Sequence, residues 1–222
     1  MDWHPLYNSL RIAAVSSVVV TTLGIAAAWW TARLPRSVKA MIDVVSMLPM
    51  VLPPTVCGYL LLLVFGVERP VGKFLLSHGI KFVMTWHGAT LAASVVAFPL
   101  MYRAARGAFE SFDPDLAHAA RTLGLSDAWI FWHVRMPVCR QGLIAGAVLA
   151  FARALGEYGA TSMLAGYIPR RTATISTTVY HLWRTNDERG ALAWALIDVA
   201  MSAVVLFAVD MLEDRQRKGR TG

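Results

Sequence analysis

The chain has 222 residues, 56% of them hydrophobic and 16% charged, with a mean hydropathy of +0.50. A soluble domain usually carries about 25% charged residues, so an ordinary soluble domain is excluded, and the length allows a single domain. The net charge of +7 and pI near 9.8 do not point to nucleic acid, because no basic cluster is interleaved with aromatics; Lys- and Arg-rich cytoplasmic loops of a membrane protein account for them.

A membrane span needs about 20 mostly apolar residues. Ile12–Trp30 holds 19 without a charge. No basic stretch precedes it, since Asp2 comes first and Arg11 stands alone. It is also longer than the apolar core of a signal peptide, so it is expected to remain as the first span. Val44–Val67 holds 24 uncharged residues and is the second. Its Pro53 and Pro54, like Pro99 in the third, are expected to kink or break the helix. Phe82–Tyr102 is the third, with His87 its one ionisable group besides Tyr102. Gln141–Ile168 is the fourth, and contains Arg153 and Glu157. Ala191–Val209 is the fifth, with Asp198 inside it. Thr172–Trp183 is uncharged apart from His181, but its 12 residues are too few to cross. It is expected to lie in the interface or to re-enter the membrane.

The expected fold is therefore all-α, a polytopic membrane protein of about five transmembrane helices that forms one domain over residues 1–222. Five spans put the termini on opposite sides. With the segment after the third span in the cytoplasm, the C-terminus is cytoplasmic and the N-terminus outside. Twelve Lys and Arg then lie inside, among them Arg33, Arg36, Lys39, Arg103, Arg106, Arg215, Arg217, Lys218 and Arg220. Eight lie outside and Arg153 lies within a span, a bias of the expected sign. Trp3, Trp29, Trp30, Trp86, Trp183 and Trp194 fall near run ends, as interfacial belts do. Cys57 and Cys139 stand apart in apolar surroundings, which disfavours a disulfide or metal site.

The loop between the third and fourth spans is the most informative stretch. Asp113-Pro114 is a helix start, an Asx cap followed by proline at the first helical position. Pro114–Leu123 is expected to be a short helix, and Gly124 the residue that stops it with positive φ. Ala119 and Ala120 give that helix a face without bulk. Ser126 is expected to cap a second helix over Asp127–Arg135, and Pro137 to turn the chain into the fourth span. A helix–turn–helix with small residues between spans fits a knob that docks into another protein.

The spacing Ala119-Ala120, three residues, Gly124, nine residues, Val134-x-Met136-Pro137 resembles the coupling loop of permeases of ABC importers. His118 stands where that family usually has glutamate. The likeness extends along most of residues 10–210. The stretch from Ser46 to Gly58 (SMLPMVLPPTVCG) is similar to the second span of molybdate-type permeases, and Ala97–Arg106 (AFPLMYRAAR) to the end of their third. Ala150–Thr161 (AFARALGEYGAT) is similar to their fourth. Sulfate and thiosulfate permeases share much of this. At Ala165–Thr172 (AGYIPRRT), Tyr167 and Arg170 depart from the segment common in molybdate permeases.

The resemblance implies ABC type I importer permease architecture and a location in the bacterial cytoplasmic membrane. It also implies a homodimer, a separate cytosolic ATPase subunit and an extracytoplasmic oxyanion-binding protein. Coupling to the ATPase falls on residues 113–137, with Asp113, Asp115, His118, Ala119, Ala120, Gly124 and Pro137 as the candidates. The cargo implied first is molybdate, with tungstate and sulfate or thiosulfate as alternatives. No cofactor, no metal and no catalytic residue is implied.

Arg153 and Glu157 are spaced i, i+4 and can pair on one helix face. With Thr161 they are candidates for an anion path, Arg153 attracting a dianion and Glu157 preventing overly tight binding. A self-neutralised pair bracing the bundle explains them equally well. Gly142 and Gly146 form a small-xxx-small step suited to close packing within the chain or, less readily, at a dimer seam. Asp198 pairs with a neighbouring span or sits at a cavity. Arg170 and Arg171 meet a binding protein, funnel anions or are simply solvated.

Gly66–Lys73 misses the phosphate-loop pattern, with one residue too many between glycines and Phe74 where Ser or Thr is needed. There is no HExxH, GxSxG or dinucleotide fingerprint. A membrane-embedded enzyme built on Arg153, Glu157, Asp198 and His87 is the weaker rival reading.

Overall fold

The computed structural model describes residues 2–218, with side chains as far as Phe207. All described elements are helical: α1 (His4–Thr31), α2 (Arg36–Val51), α3 (Pro54–Phe65), α4 (Pro70–Ser77), α5 (Trp86–Glu110), α6 (Pro114–Thr122), α7 (Asp127–Ile130), a π-helical turn (Phe131–Arg135), α8 (Met136–Leu155), α9 (Gly159–Leu164), α10 (Ile175–Arg184) and α11 (Glu188–Lys218). Four helices are long and apolar enough to cross a membrane: α1, α5, the continuous Asp127–Leu155 rod, and α11 as far as Phe207. The pair α2–α3, bent by 114°, is apolar and long enough for a fifth when its two helices are taken together. The basic residues Arg215, Arg217, Lys218 and Arg220 lie outside the described side chains.

α5 sits at the centre, with α1 and α8 against it. Its inward stripe is nearly all alanine: Ala89, Ala93, Ala97 and Ala105 have no exposure. Apolar side chains gain little from leaving lipid, so spans associate by close packing of small residues. Gly142 and Gly146 belong to this seam. A Cβ on Gly142 would lie 2.9 Å from the Ala108 Cβ, and one on Gly146 only 2.6 Å from the Ala104 Cβ. The small-xxx-small step is thus intrachain packing of α8 on α5.

Several buried polar groups find partners inside the bundle, as the absence of water there favours, while His4 Nδ1 and Arg106 Nε are left without one. Ser16 Oγ donates to the Thr90 carbonyl at 3.0 Å. Asn8 Nδ2 donates to the Ala173 carbonyl at 3.0 Å, and the Ile175 N–H donates to Ser9 Oγ at 2.9 Å, which fixes the start of α10 against α1. Asp2 pairs with Arg170 at 3.1 Å. The His4 N–H and this guanidinium hold the Asp2 carboxyl below its usual range.

Several span boundaries differ from those expected. The second run is not one helix. Pro53 forces Leu52 into extended backbone (ψ 142°), and Pro54 restarts a helix at a 114° bend. The third begins at Trp86, where Thr85 Oγ1 accepts the Gly88 N–H at 3.2 Å, and continues past Tyr102 to Glu110. The fourth begins well before Gln141 and stops at Leu155. The segment over Thr172–Trp183 is helix α10, started by a reciprocal Thr174–Thr177 capping box. The short α4 was not anticipated. Trp29 and Trp194 pack against protein: Trp194 is 4% exposed and meets Trp3 edge-on at 6.0 Å, while Trp29 packs among aromatics described below.

Candidate functional site

The segment 113–137 is built almost entirely from local signals. Asp113 accepts the Asp115 N–H at 2.9 Å and starts α6. At the other end Gly124 takes φ +78°. Its N–H donates to the Arg121 carbonyl at 2.9 Å, and the Leu125 N–H to the Ala120 carbonyl at 3.3 Å, the paired closure of a Schellman stop. Ser126 Oγ then accepts the Trp129 N–H at 3.3 Å. Arg121 clamps the turn from outside, its guanidinium 3.0 Å from Asp127 Oδ1.

The chain does not turn at Pro137. Asp127 to Leu155 is one continuous rod. Proline at 137 removes a hydrogen bond and crowds the carbonyl four residues back. The π-helical turn just before it, in which the Met136 N–H reaches the Phe131 carbonyl, inserts the extra residue that relieves this.

The two alanines do not share a face. Ala120 is buried with Ala117, while Ala119, Asp113, Asp115 and His118 are exposed. The outward side adds Leu123 (79% exposed), Trp132 (63%) and Trp129 (41%), an apolar knob that spacing alone did not disclose. Beneath it lies an aromatic footing. Trp29 meets Phe131 at 4.6 Å and Phe109 at 5.8 Å. Arg135 lies over Trp29 (4.6 Å) and Phe112 (4.3 Å), and Arg33 over Trp29 (4.1 Å). The knob is thus packed on α1 and α5 and continuous with α8.

Arg153 and Glu157 do pair, at 2.6 Å, but not on a helix face. α8 ends at Leu155 and Glu157 lies in the break before α9. It is 3% exposed, and its second oxygen accepts the Ala160 N–H at 2.7 Å. The carboxylate thus occupies the N-terminus of α9 and holds it to α8. Thr161 is 1% exposed and packed within α9, apart from open space. This break meets the other one: a Cβ on Gly159 would lie 2.9 Å from the Pro54 Cβ, and one on Gly58 2.7 Å from the Ala160 Cα. Two interrupted helices therefore touch through glycines. Asp198 is half-buried on α11 and has no hydrogen-bond or ion-pair partner among the described residues.

A third polar cluster joins the i, i+4 pair Arg106 and Glu110 to the distant Asp43 and Lys39. Asp43 Oδ1 accepts from Tyr102 Oη at 2.5 Å and from Arg106 at 2.7 Å. Arg106 also donates to Glu110 at 2.6 Å, and Glu110 accepts from Lys39 at 3.0 Å. These bonds clasp α2 to α5 at the same end of the bundle as the knob.

A family model, the binding-protein-dependent transport system inner membrane component, matches residues 21–218. The molybdenum transport system permease protein ModB of Escherichia coli K12 is 40% identical over 223 residues, 99% of this chain and 97% of that protein. A putative molybdenum transport system permease of Bacillus subtilis is 38% identical, covering 92% of this chain and 91% of that one. Among solved structures, a bacterial alginate ABC transporter in complex with an alginate-bound periplasmic protein superposes with a TM-score of 0.76 at 16% identity. It covers 96% of this chain and 78% of its counterpart.

Proposed function

From its membership of the binding-protein-dependent transport system inner membrane component family, we propose that this chain is the permease subunit of an ATP-driven molybdate importer. Its curated relatives at 40% and 38% identity are named for molybdenum transport over nearly the whole chain. The fold is that of an ABC importer permease, and its relatives are permeases rather than enzymes. A separate ATPase supplies the free energy, an extracytoplasmic binding protein delivers the anion, and two copies of the chain enclose the path. The knob end lies in the cytoplasm, the N-terminus outside and the C-terminus inside. The knob receives the push of the closing ATPase pair and alternates the spans between inward- and outward-open states.

The observation that supports this most is the rigid, apolar knob. Leu123, Trp129 and Trp132 face outward on a helix–turn–helix whose other side is footed on Trp29, Phe109 and Phe131. A connector with no partner would not expose three large apolar side chains at a fixed geometry. Asp113, Asp115 and His118 form the polar rim of the docking surface, and the exposed Ala119 adds a methyl group among them. Ala120, Gly124 and Pro137 act from behind it by setting its shape. In the fourth span, Arg153 is a candidate path cation whose charge Glu157 moderates, and Thr161 supports the same break.

The test reconstitutes the permease with its ATPase and binding protein in liposomes and follows labelled molybdate. Gly124→Val places a β-branched side chain at φ +78°, where a side chain costs about 1–2 kcal/mol per residue. Uptake should fall about tenfold or more, with the protein still inserted. Uptake at the wild-type rate would remove the coupling role. Competition by tungstate and by sulfate separates the alternative cargoes.

A further inference from the structure

Between α9 and α10 lies a half-open cavity of about 450 Å³. Every residue lining it bears a side-chain O–H or N–H, and none is acidic. Tyr158, Ser162, Tyr167, Tyr180, His181 and Arg184 form most of its wall. Tyr158 adjoins Gly159, which packs on Pro54 where the two breaks meet, and Arg184 closes the far end of α10. The cavity thus leads from the paired helix breaks to the end of the bundle opposite the knob.

The cations here are not equivalent. Arg153 is neutralised by Glu157 at 2.6 Å, and Arg170 is held by Asp2 at 3.1 Å. Arg184 has no carboxylate partner among the described residues; it lies 5.9 Å from the Tyr180 ring centre. The rings that frame it are mutually supported. Tyr167 stacks on His181 at 4.2 Å, and Tyr158 packs on Tyr180 at 5.2 Å. Such a wall offers an anion one guanidinium and several hydroxyl donors, each hydroxyl worth far less than an ion pair. About 30 Å³ per water leaves room for an anion that keeps part of its hydration shell.

We propose that this cavity is a transit site for a tetrahedral oxyanion, with the Arg184 guanidinium as its principal contact and His181, Tyr158, Tyr167 and Tyr180 as further donors. The proposal rests on the transport reading above and adds the residues that receive the cargo. A single guanidinium among hydroxyls suits passage: binding strong enough to admit a dianion, and weak enough to release it.

The experiment uses the reconstituted transporter, permease with ATPase and binding protein, in liposomes of either zwitterionic lipid or a mixture with anionic lipid. Labelled molybdate uptake at saturating loaded binding protein and cargo-free ATPase rate are both recorded. Arg184→Gln should lower uptake about tenfold, the size of one charge-assisted hydrogen bond, in both lipids and with the cargo-free ATPase rate retained. Arg184→Lys should recover most of it. Lys81→Gln, an exposed cation outside the cavity, should stay at the wild-type rate. If Arg184→Gln does not assemble, the Tyr167→Phe/Tyr180→Phe double variant keeps both rings and decides the matter, with an expected loss of about threefold or more. Wild-type uptake in Arg184→Gln, or in the double tyrosine variant, overturns the site. A loss confined to anionic lipid also overturns it, since Arg184 would then serve a lipid phosphate. If the wild-type complex moves no oxyanion at all, the transport reading falls and this inference falls with it.

Discussion

The Arg153–Glu157 pair and the Asp43–Arg106 clasp are both short ion pairs in an apolar bundle, and they join different things. The first closes over four residues and ties the end of α8 to the start of α9. The second spans 63 residues and ties α2 to the central helix. Glu157 is almost wholly buried, with both oxygens engaged, whereas the clasp opens outward through a half-exposed Glu110. A local pair of this kind fixes the shape of a break, which packing against Gly58 and Pro54 then requires. The long-range clasp fixes the position of an arm, because α2 packs chiefly against α5. Mid-bundle charge here shapes a break between two helices, while charge at the knob end ties one span to another.

The contrast predicts a hierarchy of losses. Glu157→Leu leaves Arg153 without its partner and the Ala160 N–H without an acceptor. It should cost about 3 kcal/mol, since breaking a buried pair strands the other member. Glu157→Gln keeps an acceptor for Ala160 and should recover about half of that. Unfolding in mixed micelles measures both. Equal losses for the two variants would mean that the charge, and not the cap, holds the break. The next effect is smaller. Arg106→Met should cost about 2 kcal/mol, and the cycle with Asp43→Asn should show a coupling of about 1 kcal/mol. A coupling near zero would show that α2 is held by apolar contacts alone, and the distinction between the two clusters would vanish.

How far the sequence disclosed these features follows from the range of the interactions. The knob was legible because Asp113, Gly124 and Ser126 act within five residues of themselves, through caps and one positive φ. The i, i+4 spacing of Arg153 and Glu157 announced the pair, but hydropathy carried the span straight through to Ile168. Nothing in an apolar count registers a carboxylate that prefers the Ala160 N–H to a helical backbone. Pro53 and Pro54 were visible as a kink, while the full break depended on Leu52 being forced extended with Gly159 ready to pack on Pro54. Pro137 was taken for a corner, and the π-helical turn that absorbs it leaves no local signature. Trp29 was placed in an interfacial belt by position. Its partners Phe109, Phe131 and Arg135 lie about a hundred residues away along the chain, beyond any periodicity. In the clasp the i, i+4 step from Arg106 to Glu110 is local, but Asp43 and Lys39 lie 63 and 71 residues from their partners and give no such signal. The donor-lined cavity depends likewise on how α9, α10 and the loop between them fold together.

The smallest effect tests the outer edge of the clasp. Lys39 meets Glu110 at 3.0 Å, with their side chains 29% and 53% exposed. An ion pair this open is worth about 0–1 kcal/mol, and salt screens it over a Debye length of about 10 Å at 0.1 M. Lys39→Met should therefore cost less than about 0.5 kcal/mol at low salt and nothing measurable at high salt. Arg106 remains bonded to Asp43 and Glu110 without Lys39, so the clasp should persist. If Lys39→Met instead costs as much as Arg106→Met, then Glu110 needs both cations to stay in place. The cluster would then behave as one cooperative unit rather than a buried centre with a dispensable rim, and α2 would be anchored from its first turn rather than from Asp43.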